Sequence, residues 1–161
     1  MTAAQVHLML NHLPVLAPLL AALLVMAGMA FRSQPVLRVA LALLVFAAII
    51  AVPVYLTGEP VAEEVKAIPG VVEQRMDVHE DTAFVALILL CGLGMAAAAG
   101  LAMYRRRPIS PRVSVVILIA SLIVAGQVAW TAHLGGLIRH TELQGGSTAQ
   151  AAPPAPSDGD D

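Results

Sequence analysis

Five side chains in this sequence are suited to holding a metal or a haem iron: His7, His12, His79, His133 and His140. Neutral imidazole is the commonest metal ligand, and haem iron in a helical bundle can be held by histidines from facing helices. Carboxylates stand close by in the chain. Glu59, Glu63 and Glu64 form one group, Glu80 and Asp81 follow His79, and Glu142 follows His140. A carboxylate beside an imidazole can orient the ring's second nitrogen or bind metal itself; it is equally at home as a solvated loop charge. The single cysteine, Cys91, falls inside an apolar run, so neither an intrachain disulfide nor a thiolate cluster can form.

Spacing limits how these residues can meet. His133 and His140 are seven positions apart, which on a helix separates them by about 10 Å along the axis and keeps them within about 20° of one face. They could be stacked on one interior stripe. His7 and His12 are five positions apart, about 140° around a continuous helix. Both can address one centre only if the chain breaks between them. Asn11 as an N-cap with Pro14 in the first turn would supply that break and leave His7 in a separate interfacial segment.

The elements that must carry these residues are membrane spans. Hydrophobic residues make up 58% of the 161-residue chain and charged residues 12%, far from the balance of a water-soluble domain. Four apolar runs are long enough to cross a bilayer as helices, at about 13–31, 37–57, 80–104 and 112–139. They lack the alternation of barrel strands and are rich in Leu and Ala. The expected architecture is an all-α membrane protein, a four-transmembrane-helix bundle over residues 1–143, followed by a disordered, Ala/Pro-rich tail over 144–161. No Lys or Arg precedes the first apolar run, so it reads as a retained anchor rather than a secretory signal.

Charge orients the bundle, because cytoplasmic connections collect Lys and Arg. Arg32 and Arg38 lie between the first two runs, and Arg105, Arg106, Arg107 and Arg112 between the last two, with no acidic residue in either connection. The opposite side holds all eleven Asp and Glu residues, with Lys66, Arg75 and Arg139 as its only basic ones. Both termini are thus expected outside, in the periplasm of a bacterium whose inner membrane the chain spans. All five histidines then share that outer side, and the arginine side has none.

Small residues should let the helices approach closely. Gly92, Ala96 and Gly100 recur every four residues along the third run, and packing inside the bundle is the simpler expectation for them than a dimer interface. Pro14, Pro18 and Pro53 would loosen backbone bonding towards the outer side. Trp130, the only tryptophan, reads as an interface or packing residue. Each half of the chain runs from an outer histidine through a span, an arginine turn and a second span, which supports two helical hairpins.

Three readings of the histidines stay open. The first is a membrane b-type cytochrome-like electron-transfer protein or subunit. Its haem b would be held by two of His7, His12, His79, His133 and His140, with Arg139 facing a propionate. The second is a non-haem copper, zinc or iron site built from His7, His12, His79, His140, Glu59 and Glu80; an iron pair is disfavoured because no Glu-x-x-His occurs on any span. The third is a cofactor-free accessory subunit of a larger membrane complex. Electron transfer or an accessory role fits better than a stand-alone enzyme, since no nucleophile elbow, phosphate loop or zincin helix is present. Expected partners are the bilayer, a periplasmic cytochrome c or other subunits of a redox complex. Nothing points to nucleic acid.

The strings Leu-Asn-His-Leu-Pro (10–14), Thr-Gly-Glu-Pro (57–60), His-Glu (79–80) and Gly-Gly-Leu-Ile-Arg-His (135–140) resemble those of a small, uncharacterised bacterial family of four-helix integral membrane proteins with an external His/Glu cluster. The likeness covers nearly the whole chain except the tail. It is also similar to a broader membrane domain sometimes joined to c-type cytochrome or Rieske modules, which implies a place near electron transfer. On that resemblance His7, His12, His79, His140, Asn11, Glu59, Glu80 and Arg139 fall in matching motifs. His133 stands where a different polar residue is expected. The resemblance brings no established activity with it.

Overall fold

Leu- and Ala-rich runs favour helix, and the four apolar stretches form four of them in spite of the single glycines and prolines they contain. The computed structural model of the protein describes His7, residues 9–58, Ala62 and residues 73–139. Its elements are α1 (His12–Ala30), α2 (Gln34–Leu56), α3 (Glu73–Met103) and α4 (Pro111–Arg139). Each is long and apolar enough to cross a membrane. The chain is therefore a four-helix bundle of membrane-spanning dimensions, and no strand occurs among the described residues. The expected tail over 144–161 lies outside them.

Helix limits depart from the apolar runs where polar residues can stay in a helix. α3 starts at Glu73, not near 80, because its first turns, Glu73 to Asp81, are polar but contain neither Gly nor Pro. Hydropathy marks only the part that lipid can solvate, and the helix continues beyond it. α2 starts at Gln34 behind an extended Ser33, with Pro35 in the first turn, where its missing N–H costs nothing. α1 ends in a Schellman turn, in which the Ser33 amide donates to the Gly28 carbonyl at 2.8 Å and the Arg32 amide to that of Met29 at 3.3 Å. Arg32 holds the left-handed position of that turn at φ 51°, a conformation that costs an L residue roughly 1–2 kcal/mol relative to glycine.

α1 packs on α2 and α4, and α3 packs on the same two, closing a four-membered ring. The interior is lined at helical spacing by Ala17, Ala21 and Val25 of α1, Leu41 and Leu44 of α2, Leu93 and Ala97 of α3, and Ile117, Val124 and Val128 of α4. Larger residues such as Leu16, Ile49, Ile88 and Ile123 face outward. That distribution suits a lipid solvent, in which burial of bulky side chains adds little and close backbone approach adds dispersion contact. At Gly94, α3 rests directly on Ala48, and an added Cβ would lie 3.2 Å from the Leu44 carbonyl.

The small-residue stripe expected inside the bundle is only partly there. Gly100 is buried, but Gly92 and Ala96 are exposed, and nothing lies near Gly92. A four-residue repeat faces the interior only when it starts at the right angle, as Ala86, Leu90 and Gly94 do; Gly92 lies two residues, about 200°, from both Leu90 and Gly94. The interior face of α3 runs instead through Leu90, Leu93, Gly94, Ala97 and Gly100. The helices pass through Pro18, which is buried, and Pro53, which is exposed, without interruption.

Candidate functional site

The last carbonyls of a helix have no partner within it. At the end of α2 this leaves the Val54 carbonyl for His7, whose Nδ1 reaches it at 2.9 Å and the Thr57 hydroxyl oxygen at 3.2 Å. A carbonyl can only accept, so Nδ1 of His7 carries the proton. Thr57 closes the same turn, donating its hydroxyl towards the Pro53 carbonyl at 2.8 Å and that of Val54 at 3.1 Å. Gly58 follows, and an added Cβ there would sit 3.5 Å from Cε1 of His7.

His79 has a matching arrangement on the other hairpin. Its Nδ1 donates to the Thr131 carbonyl of α4 at 3.1 Å, and its ring lies against Gly135. A Cβ at that glycine would come within 3.0 Å of Cε1 and 3.5 Å of both ring nitrogens. Polar bonds knit α3 and α4 around it. The buried Thr131 hydroxyl reaches the Thr82 carbonyl at 3.2 Å and the Gln127 carbonyl at 3.1 Å, and the Gln127 amide reaches the Thr82 carbonyl at 3.4 Å. Thr82 in turn donates its hydroxyl to the carbonyls of Val78 and His79 at 3.0 and 2.9 Å.

Both imidazoles are therefore fixed in the same tautomer. With Nδ1 protonated and bound to a carbonyl, the neutral ring keeps a lone pair on Nε2, which is how a protein orients a histidine ligand. The two rings belong to different hairpins, separated by 72 positions in sequence, yet they lie within electrostatic range of each other. Asn11 is one helical turn past His7, its amide bonded to the His7 carbonyl at 2.9 Å. Its side-chain Oδ1 is buried without a hydrogen-bond partner among the described residues.

The other expected residues fall elsewhere. Asn11 has helical backbone angles and makes no side-chain cap, so the chain does not turn sharply between the two N-terminal histidines. His7 points into the bundle and His12 is exposed on the first turn of α1, as a five-residue spacing dictates. His133 is also exposed, and instead of stacking in the interior it lies beside Trp130, ring centroids 5.8 Å apart. Glu80 is exposed and within electrostatic reach of the neighbouring His79. Among the described residues no three of His, Cys, Asp and Glu come together in a set that could hold a metal ion. Glu59 and His140 lie outside the described residues, and Arg139 closes α4.

Thr57, Thr131 and Gly135 were not singled out by their types, and Asn11 was expected as a helix cap rather than as a buried oxygen beside His7. Gly58 and Gly135 do stand in the family-like strings Thr-Gly-Glu-Pro and Gly-Gly-Leu-Ile-Arg-His, which was the available signal. Compared with family models, curated proteins and solved structures, the chain finds no match. Its chemistry must be judged from its own geometry.

The donor set can be tested against the two metal readings. A bare zinc or copper ion asks for three or four protein ligands. Haem already supplies four nitrogens to its iron and asks for one or two axial ligands. Two anchored imidazoles, each with Nε2 unprotonated in the neutral ring, fit the second demand better among the described residues.

Proposed function

We propose that this protein is a membrane b-type cytochrome-like electron-transfer protein, or the corresponding subunit of a larger redox complex, in which His7 and His79 would hold a haem b. The observation that carries the reading is the pair itself: imidazoles from opposite hairpins, each with Nδ1 tied to a helix carbonyl and Nε2 left as a ligand. A bound haem would supply one-electron chemistry; the chain's own part is to fix both rings before anything binds and to keep their tautomers from exchanging. Val54 and Thr131 do this through their carbonyls, and Gly135 does it by leaving room for the His79 ring. Arg139, at the end of α4, is suited to a propionate.

The sorting of charge supports an orientation in which the arginine turns face the cytoplasm and the histidines face the periplasm. The chain would then sit in a bacterial inner membrane with both termini outside, and the haem would lie where a soluble periplasmic carrier such as a cytochrome c can reach it. The test is the absorption spectrum of protein purified under adequate haem supply. A Soret band and a sharp reduced α band are expected, both lost in His7→Ala and in His79→Ala. A colourless preparation with stoichiometric copper, zinc or iron would replace this reading with the non-haem one. Colourless, metal-free protein that copurifies with larger subunits would replace it with the accessory one.

A further inference from the structure

The arginine end of the bundle is a single rigid surface. The Gln34 side chain bridges to the other turn, its Oε1 accepting from the Ile109 amide at 2.8 Å and its amide donating to the Ile109 carbonyl at 3.4 Å. Arg38 donates to the carbonyls of Tyr104 and Arg107, each at 3.4 Å. These bonds hold the turn between α1 and α2 against the turn between α3 and α4. Arg38 is thereby engaged, whereas Arg32, Arg105, Arg106, Arg107 and Arg112 are all exposed on the joined surface.

Among the described residues no carboxylate is near enough to neutralise them. Asp81 and Arg105 lie 24 positions apart, about 36 Å along a helix and several times the physiological screening length of about 8 Å. The patch borders exposed apolar side chains: Phe31, 82% exposed, precedes Arg32, and Met103, 72% exposed, stands two residues before Arg105. Guanidinium groups match phosphate oxygens in fork geometry. At the end of membrane-length helices the ambient phosphate is that of a lipid headgroup, and the flanking Phe31 and Met103 offer its acyl chains a surface. Arg32 adds a second sign. It holds a left-handed position that glycine would take without strain, so the side chain there is not explained by the turn.

We propose that this surface binds the phosphate of an anionic phospholipid, with Arg32 and the Arg105–Arg107 turn as its headgroup site and Phe31 and Met103 against the chains. The site is independent of any cofactor at the opposite end. Near an anionic membrane surface each arginine strengthens attraction by a factor of about five.

The test uses the full chain in neutral detergent, with phosphatidylglycerol or phosphatidylcholine added and retained lipid counted by native mass spectrometry. Wild type should keep phosphatidylglycerol in preference to phosphatidylcholine. Arg105→Gln/Arg106→Gln/Arg107→Gln should reduce that preference by roughly a hundredfold. Arg32→Gly relieves the strained turn, so it should match or exceed wild type in thermal stability while lowering the preference by about fivefold. Equal retention of the two lipids by wild type, or an undiminished preference in both variants, would overturn the site. Inorganic phosphate that displaces the lipid completely would show an anion site that needs no lipid, and would overturn the assignment to phospholipid.

Discussion

The two ends of the bundle use similar polar parts to opposite effect. At the arginine end the side chains that reach across the bundle are fully committed to structure: Gln34 uses both ends of its amide on the backbone of Ile109, and Arg38 spans two turn carbonyls. Among the described residues at the histidine end, His7 and His79 each engage one ring nitrogen with a carbonyl and keep the other, and Asn11 has a buried oxygen without a donor. A buried acceptor left unpaired costs roughly 1–3 kcal/mol. Ser121 Oγ, in the arginine half of α4, is likewise buried without a partner among the described residues, so the contrast between the ends rests on the two anchored imidazoles, and it is beside them that a ligand would be stabilising.

The largest effects should come from breaking the histidine pair. His79→Ala and His7→Ala should each abolish the haem spectrum and, with it, the stabilisation that a ligand bridging the two hairpins gives to the folded state. Gly135→Val is the sharper experiment, because it leaves both imidazoles in the sequence and removes only the space for one. A branched side chain must displace the His79 ring, whose Cε1 would lie 3.0 Å from the new Cβ. The spectrum should be lost or shifted while membrane insertion is retained. Gly136→Val, one residue on at an exposed position with nothing near it, should leave the spectrum intact.

An intermediate effect should separate the two ends by stability. Gln34→Ala leaves the Ile109 amide and carbonyl without their partner, at a residue only 3% exposed. A cost of about 1–3 kcal/mol is expected in a denaturation assay, with no change in the absorption spectrum of the folded fraction. A spectrum that changed with stability would mean the ends are coupled and the contrast between them is false.

Much of this contrast can be read from the chain. The four spans follow from runs of Leu and Ala, and the division of charge places Arg32, Arg105 and their neighbours at one end and all five histidines at the other. What the sequence conceals is angular position near the helix ends. His7 and His12 look equivalent by composition, and only the path of the chain through Asn11, helical and uncapped, turns one ring inward and the other out. Gly92 and Ala96 look like packing residues for the same reason that Gly94 does, and they differ by where 100° per residue leaves them relative to α2. The carbonyls of Val54 and Thr131 carry no sequence signal at all, because every residue has one.

The smaller effects test whether the polar knit around His79 supports the ring or the helices. Thr131→Val removes a hydroxyl that bonds the Thr82 and Gln127 carbonyls but keeps the carbonyl that holds His79. Side-chain hydrogen bonds between membrane helices average about 0.6 kcal/mol, so a modest loss of stability and a retained spectrum are expected. A lost spectrum would place Thr131 in the ring's support through its side chain as well.

His133→Ala should have the smallest effect of all, and for that reason it examines the outward half of the contrast. The ring is exposed and its recorded neighbour is Trp130, itself 55% exposed. Removing it forfeits an edge contact between two surface rings, within the ±0.5 kcal/mol typical of surface substitutions. It takes no lone pair from the interior. His133 lies two residues past Thr131, about 200° around α4 from the carbonyl that fixes His79, so in a continuous helix it cannot turn to the same centre. An unchanged Soret band in His133→Ala beside its loss in His79→Ala would show that depth alone does not make a histidine a ligand. The face of the helix decides.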